Sequence, residues 1–450
     1  MGPAEVDAHA QRCAALQQRW GGMAGSAPPR LHKRSSNLFR DRRAGTQQQL
    51  DLHDFCHVLR VDAAAGWVDV EGLVCYDALV DATLPLGVMP AVVPQLKSIT
   101  AAGAVAGVGI EATSFRQGLV HDTLLALDVL LPSGEIVHCT PDNEHRDLFF
   151  GFPNSYGTLG YALRLRLRTL PVKPFVQVRH RRFARMADFM GALAEACDSD
   201  ADFVDGVAFA PDRLVLSVAH FADAAQAPSD YGLEHIYYQS LLQREVDELR
   251  TVDYLWRWDT DWFWCSRRFG LQRPWLRRLL GRKRLNSRSY ARWMRWNARL
   301  GLTRRLARWR GLHSESVIQD VDIPFARAPQ FLEFLRREID LWPVWLCPIR
   351  AAPAAAQFPL YPRPEGTRML NFGFWDVIQS LQPTAQGHYN RLVERKVIEL
   401  GGIKSLYSDS FFSREEFDAA YGAAAYAALK ARYDPQQRLL GLYEKCVLRA

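Results

Sequence analysis

Residues 100–114 read TAAGAVAGVGIEATS, and eight of the first ten are Gly, Ala or the opening Thr. A run this small lets backbone N–H groups approach a diphosphate with no side chains between them. Inside it, Gly107-Val108-Gly109-Ile110-Glu111-Ala112 matches the dinucleotide fingerprint GxGxxG/A letter for letter. That fingerprint works only between a strand and a helix whose N-terminus faces the phosphates. Here the preceding residues are themselves Gly- and Ala-rich and Gly118 follows soon after, which argues against a Rossmann site. A tightly packed buried loop without a ligand is the other reading of the same residues.

Elsewhere the patterning is mixed. Residues 1–30 read as a polar helix running into a Gly/Ala/Pro-rich loop, and 52–78 as small strands. Residues 123–131, a Pro-Ser-Gly-Glu turn and 136–139 read as strand, turn and strand. The plainest strand is 161–170, where Leu163, Leu165 and Leu167 alternate with Arg164, Arg166 and Arg168. Pro171 and Pro174 punctuate its end and set a domain boundary. Beyond them come a strand at 175–183, a helix at 186–197 and a hairpin about Pro211-Asp212. A helix at 330–341, a strand at 344–349 and a helix at 389–400 follow. Ser413 with Glu416 forms a capping box opening a helix to about Arg432. Neither an internal repeat nor a regular βαβ beat occurs, so the expected fold class is α+β.

Charge is concentrated. The chain has 56 Lys+Arg and 49 Asp+Glu, but 16 of the basic residues lie in 262–314, which holds no acid. The other 397 residues carry 40 basic and 49 acidic side chains, a mildly acidic body with one basic insert. Eight of the 13 tryptophans, from Trp256 to Trp309, share that neighbourhood. Arg and Trp interleaved suit an anionic membrane surface, the cations meeting phosphates and the indoles lying in the headgroup layer. Nucleic acid competes as a partner and is not favoured. The plainer reading is a helical hairpin whose tryptophans fill the core and whose arginines are solvated.

Other classes drop out. The longest uncharged stretch, 148–163, is 16 residues with three glycines and a proline, short of the roughly 20 that span a bilayer. The first residues carry acids and no apolar core, unlike a secretory signal. No CxxC pair exists among the eight cysteines, so buried thiols in a reducing cytoplasm are expected, and no metal site. GxSxG and HExxH are both missing, which argues against acyl hydrolysis and zinc catalysis.

Several motifs together resemble a known family. Gly109-Ile110-Glu111 followed by small residues, the Gly118-Leu119…His121 pair, Asp147-Leu148-Phe149 and Gly157-Thr158-Leu159-Gly160 lie in the register of the PCMH-type FAD-binding domain of the vanillyl-alcohol-oxidase superfamily. The branch they resemble is that of the Δ24-sterol reductases. Residues 342–348, Leu406-Tyr407-Ser408-Asp409 and Arg414-Glu415-Glu416-Phe417 are similar to its C-terminal half. The resemblance implies a VAO/PCMH-type FAD-binding domain of two α+β subdomains over 1–174. It also implies an α+β substrate (cap) domain over 175–405 with the insert 254–314, and a segment 406–450 packing back near the FAD domain. By the motif, Pro94, Thr100, Ala101, Ala102, Gly103, Gly107, Gly109, Ile110, Glu111, Ala112, Gly118, His121, Thr158 and Gly160 line the cofactor. Ser35, Ser36 and Asn37 occupy an earlier loop whose donors suit a phosphate. That loop has no His, although His32 adjoins it, so FAD is expected to be non-covalent.

The resemblance further implies reduction of a lipid C=C bond, with NADPH as donor. Tyr407, Asp409 and Glu111 are the candidate proton donors. Each has a structural alternative: Tyr407 as core, Asp409 as a turn cap, Glu111 as an Arg partner. The family's sterol reductases carry an N-terminal membrane anchor that this sequence lacks, and the Arg/Trp insert is expected to replace it at the inner face of the membrane. The Ala/Arg-rich composition looks bacterial, where relatives in this branch reduce a methylene group on a phospholipid acyl chain, so that substrate is expected slightly ahead of a sterol side chain. The alternative is an oxidase or dehydrogenase of a sugar or other alcohol, for which the Trp-rich half offers few polar contacts.

Overall fold

The computed structural model describes residues 3–22, 30–32, 39–40, 49–233, 235–300, 309, 311–353 and 358–449. Two antiparallel sheets organise the chain. The first has the spatial order Val58–Asp62, Trp67–Glu71, Tyr161–Pro171, Leu124–Leu130, Ile136–Cys139, with Val88–Pro90 also pairing along Tyr161–Pro171. The second has eight strands, ordered Val246–Arg250, Phe175–Phe183, Arg213–Ala222, Phe203–Ala210, Val344–Ile349, Met369–Ser380, His313–Pro324, Ile403–Lys404. The chain leaves one sheet at Pro171 and enters the other at Phe175. Antiparallel pairing throughout both sheets, with helices packed against them, is the expected α+β class.

The Tyr161–Pro171 strand shows why the alternation was decisive. Leu163, Leu165 and Leu167 are buried, each worth about 1.5–3 kcal/mol. On the other face Arg164 and Arg166 grip Asp69 at 2.7 and 2.8 Å, and Arg166 lies over the Trp67 ring at 4.0 Å. The helix Met186–Asp198, the hairpin of Phe203–Ala210 with Arg213–Ala222, and the helix His388–Glu399 match the sequence reading.

Two expectations change. The helix opened by Ser413, whose hydroxyl accepts from Glu416 N at 3.2 Å, ends at Ala420, and a second runs Ala423–Tyr433. Gly422, at φ +61°, turns the chain between them because its backbone passes against Pro359. The expected helix at 330–341 is Ala328–Phe334 followed by a wider π turn, Leu335–Ile339. No helix among the described residues is long and apolar enough to cross a membrane.

Gly160 shows how packing and motif overlap. It sits at φ +147°, and a Cβ there would lie 2.6 Å from Val129 Cγ1 and 2.7 Å from Leu130 O. Gly160→Ala is expected to destabilise the fold by about 1–3 kcal/mol, read as a lower midpoint in chemical denaturation. A midpoint equal to the parent's would show that the loop relaxes freely.

Candidate active site

The small-residue run folds as a short helix, Ala101–Ala106, capped by Thr100, whose hydroxyl accepts from Gly103 N at 3.2 Å. A helix precedes Gly107, where the dinucleotide fingerprint requires a strand, so a Rossmann site is excluded. Val108 adopts φ +53°, an uncommon state for a β-branched residue. Gly107 carries no side chain where a Cβ would meet Gly103 O at 2.8 Å and the Tyr156 ring and hydroxyl beyond it. Gly109 is as tightly placed between Pro94, Ala104 and Val120. Ala102 N donates to Gly72 O, and Ala112 O accepts from Val204 N, tying the run to both sheets. Ala101 is buried and Ile110 half-buried. The run is therefore both a packed element and a backbone-lined one.

Tyr156 joins this run to two further segments. Arg40 stacks over its ring at 4.9 Å and donates to Leu406 O at 2.5 Å. Phe39 N donates to Tyr407 O at 2.9 Å, and the Phe39 ring meets Trp262 and Tyr407. Ser35, Ser36 and Asn37 lie outside the described residues. Thr158 donates to Ser155 O at 2.7 Å, and its carbonyl accepts from Lys430 at 3.3 Å. Tyr433 donates to Asp147 at 2.7 Å and Lys445 contacts Gly157 O, so the C-terminal segment packs onto the 145–160 region.

Tyr407 is at the centre of a hydrogen-bonded set. Its hydroxyl donates to Asp320 Oδ2 at 2.6 Å and accepts from Trp375 Nε1 at 2.8 Å. Asp320 Oδ1 is buried without a hydrogen-bond partner among the described residues. Burial, together with the neighbouring Asp322 charge, pushes the Asp320 carboxyl up to about 8, despite the opposing bond from Tyr407. It is therefore largely protonated at neutral pH. Both residues are half-buried. Sequence reasoning missed Asp320. Its signal was faint: Asp320 and Asp322 alternate with Val321 and Ile323 near the end of the His313–Pro324 strand, which also holds Glu315.

Glu111 occupies a second acidic centre. Its Oε1 and Asp205 Oδ2 both accept from Arg257 Nη2, at 2.8 and 3.0 Å, and all three side chains are buried. Trp345 Nε1 also donates to Asp205 at 3.0 Å. Burial first, and Asp205 second, raise Glu111 to about 7 against the pull of Arg257. An aromatic bridge joins the two centres: Trp345 to Phe263, with ring centres 5.6 Å apart, and Phe263 to Trp375 at 4.3 Å. Trp262 and Phe263 hold this wall at φ +45° and +59°, strain concentrated beside the candidate chemistry. Asp409 is directed to Arg449 at 3.3 Å. Gly118, at φ +80°, closes onto Asp122, which Arg363 holds at 2.7 Å. His121 packs on Phe358 with ring centres 4.4 Å apart, and burial lowers it to about 4, leaving a neutral ring.

The insert divides in two. Trp256, Trp258, Trp262 and Trp264 are core, and Arg277 is buried against Asp261 at 2.6 Å, so this half is no lipid-facing surface. Trp275, Trp296 and Trp309 are 61%, 60% and 83% exposed.

Comparison with known proteins places these features. A family described as "FAD binding domain" matches residues 34–140. A Delta(24)-sterol reductase of Pisum sativum is 24% identical over 449 residues, covering 88% of this chain and 76% of that protein. The Arabidopsis thaliana and Homo sapiens proteins of the same name are 28% and 26% identical over 443 and 408 residues. They cover 88% and 86% of this chain, and 76% and 75% of their own lengths. The residues present fit an FAD. The run 100–112 offers backbone rather than side chains, and both His121 ring nitrogens, Ser155 Oγ and Ser408 Oγ are buried with no partner among the described residues. With that domain, and with similarity to the Delta(24)-sterol reductases along most of its length, the chain is an FAD-dependent oxidoreductase that resembles those proteins.

Proposed function

We propose that this enzyme reduces a carbon–carbon double bond in a lipid, with NADPH as electron donor. One hydride adds to one alkene carbon and one proton to the other, leaving NADP⁺ and a saturated chain. FAD, when bound, supplies a ring that accepts and returns hydride. The observation that carries this reading is the Tyr407–Asp320 pair, an enclosed proton store against an aromatic wall of Phe39, Trp262, Phe263 and Trp375. In this reading Tyr407 presents the proton and Asp320 replaces it; Trp375 holds the phenol by donating to its oxygen. Glu111 and Asp409 are the other two candidate donors. Glu111 is ionisable near neutrality, but it is engaged by Arg257, and Asp409 by Arg449. The residues proposed to line the FAD are those named from the motif, with Ser35, Ser36 and Asn37 as phosphate contacts.

Names of the relatives favour a sterol side chain; a methylene-branched acyl chain is the other lipid. The test is anaerobic: the flavoprotein is bleached with NADPH, then given a Δ24-sterol or a methylene phospholipid. Return of the yellow colour with one of them identifies it. Bleaching by a polyol instead of NADPH would reverse the assignment to alcohol oxidation. Acid precipitation should leave the flavin in the supernatant; a yellow pellet would mean a covalent link.

We further propose that the exposed half of the insert rests on an anionic membrane at the cytoplasmic side. Trp275 and Leu279 are exposed four residues apart on the Pro274–Leu280 helix, one face of it. Exposed Arg273, Arg278, Lys283, Arg284 and Arg292 surround this region in sequence. Flotation with anionic vesicles at low salt should carry the protein. Trp275→Ser with Trp296→Ser should weaken binding about tenfold or more, and high salt should release it. No flotation at low salt would remove the membrane reading.

A further inference from the structure

We infer that His32, Asp51 and His53 form a binding site for a divalent transition-metal ion of the zinc type. The sequence spacing, with His32 and Asp51 19 positions apart, gives no hint of this, and no metal was expected. Tertiary pairing creates it. The strands Arg30–His32 and Gln49–Asp51 run parallel with His32 directly opposite Asp51, and His53 follows two residues on.

One ligand atom from each side chain lies within 4.8 Å of the others. His32 Nδ1 is 3.9 Å from Asp51 Oδ1, and His53 Nδ1 hydrogen-bonds the same oxygen. The two imidazole rings lie 4.4 Å apart, tilted by 58°. Zinc bonds of about 2.0–2.2 Å in a tetrahedral set put ligand atoms roughly 3.3–3.5 Å apart. Adjustments of about 1 Å therefore complete the geometry. Exposed side chains allow this: His32 and Asp51 are about half exposed and His53 less so.

The donor set selects the ion. Two imidazoles with one carboxylate suit zinc, copper or nickel, whereas calcium and magnesium prefer oxygen ligands throughout. Three protein ligands leave a fourth position facing water. An exposed His–Asp ion pair contributes at most about 1 kcal/mol, little to hold two three-residue strands together. A metal shared by both strands closes the chain from 32 to 51 more firmly, since clips across long loops gain most.

The experiment uses tag-free, flavin-loaded protein, stripped with chelator and titrated calorimetrically with Zn²⁺, with Mg²⁺ as control. One saturable Zn²⁺ per chain is expected, with no response to Mg²⁺. His53→Gln and Asp51→Asn should each weaken it tenfold or more, with circular dichroism and flavin content unchanged. Equal stoichiometry and affinity in the parent and both variants would place the metal elsewhere and overturn the assignment. Absence of saturable binding below about 1 mM would overturn it as well.

Discussion

Asp320→Asn is expected to slow re-oxidation of the reduced enzyme by its lipid alkene by about a hundredfold or more, the usual range for losing a positioned acid. The amide keeps an oxygen that accepts from the Tyr407 hydroxyl, so the 2.6 Å bond and the packing around it are preserved. What disappears is the proton. In the parent enzyme, stopped-flow re-oxidation should fall above pH 8, as the carboxyl raised to about 8 by burial ionises. In the variant that limb should be missing, while bleaching by NADPH proceeds. A variant rate within threefold of the parent would exclude Asp320 as the proton source. Stability carries the same signature. A carboxyl whose folded value is raised contributes stability present below the ordinary carboxylate range and lost as pH rises toward 8. The parent should therefore lose stability across that window, and the variant should have a flatter profile.

Arg257→Met is the second large effect, and it falls on folding. The guanidinium is buried, bonds Glu111 and Asp205 together, and stacks on the Tyr254 ring at 4.0 Å. Two carboxylates share this one cation, and removing it strands both in a dry interior. Breaking a buried pair in this way costs about 3–5 kcal/mol, a large part of a typical folding free energy. Chemical denaturation should show that loss. The triple variant Arg257→Met, Glu111→Gln, Asp205→Asn should recover much of it, since no buried charge remains. A single variant within about 1 kcal/mol of the parent would mean that water reaches the pair.

Glu111 illustrates how far the sequence could be read. Its place in the small-residue run was visible, and so was the possibility that an arginine held it. Which arginine, and that Asp205 would compete for it, was not visible, because Arg257 lies 146 positions away. Asp320 was missed for the same reason. One acid among several in a strand of mixed polarity has no local pattern of its own; only the neighbouring Met369–Ser380 strand and the 406–408 segment give it Trp375 and Tyr407. The Arg/Trp insert was misjudged where local composition was taken for surface. Trp258 and Trp264 are apolar enough to be core, and their setting in the turns between Leu255 and Cys265 gave no period to reveal it.

Local patterns did determine a good deal. The Leu/Arg alternation at 163–168, the Ser413 cap and the Gly/Ala run each specify backbone state through contacts a few residues apart. They hold wherever the chain folds, and the motifs they belong to carried the FAD reading. The tertiary structure alone decided which acid lies beside Tyr407, which tryptophans are buried, and that His32 meets Asp51 and His53. Those are choices among partners tens to hundreds of residues distant, made by strand pairing and burial, and a one-dimensional pattern does not encode them.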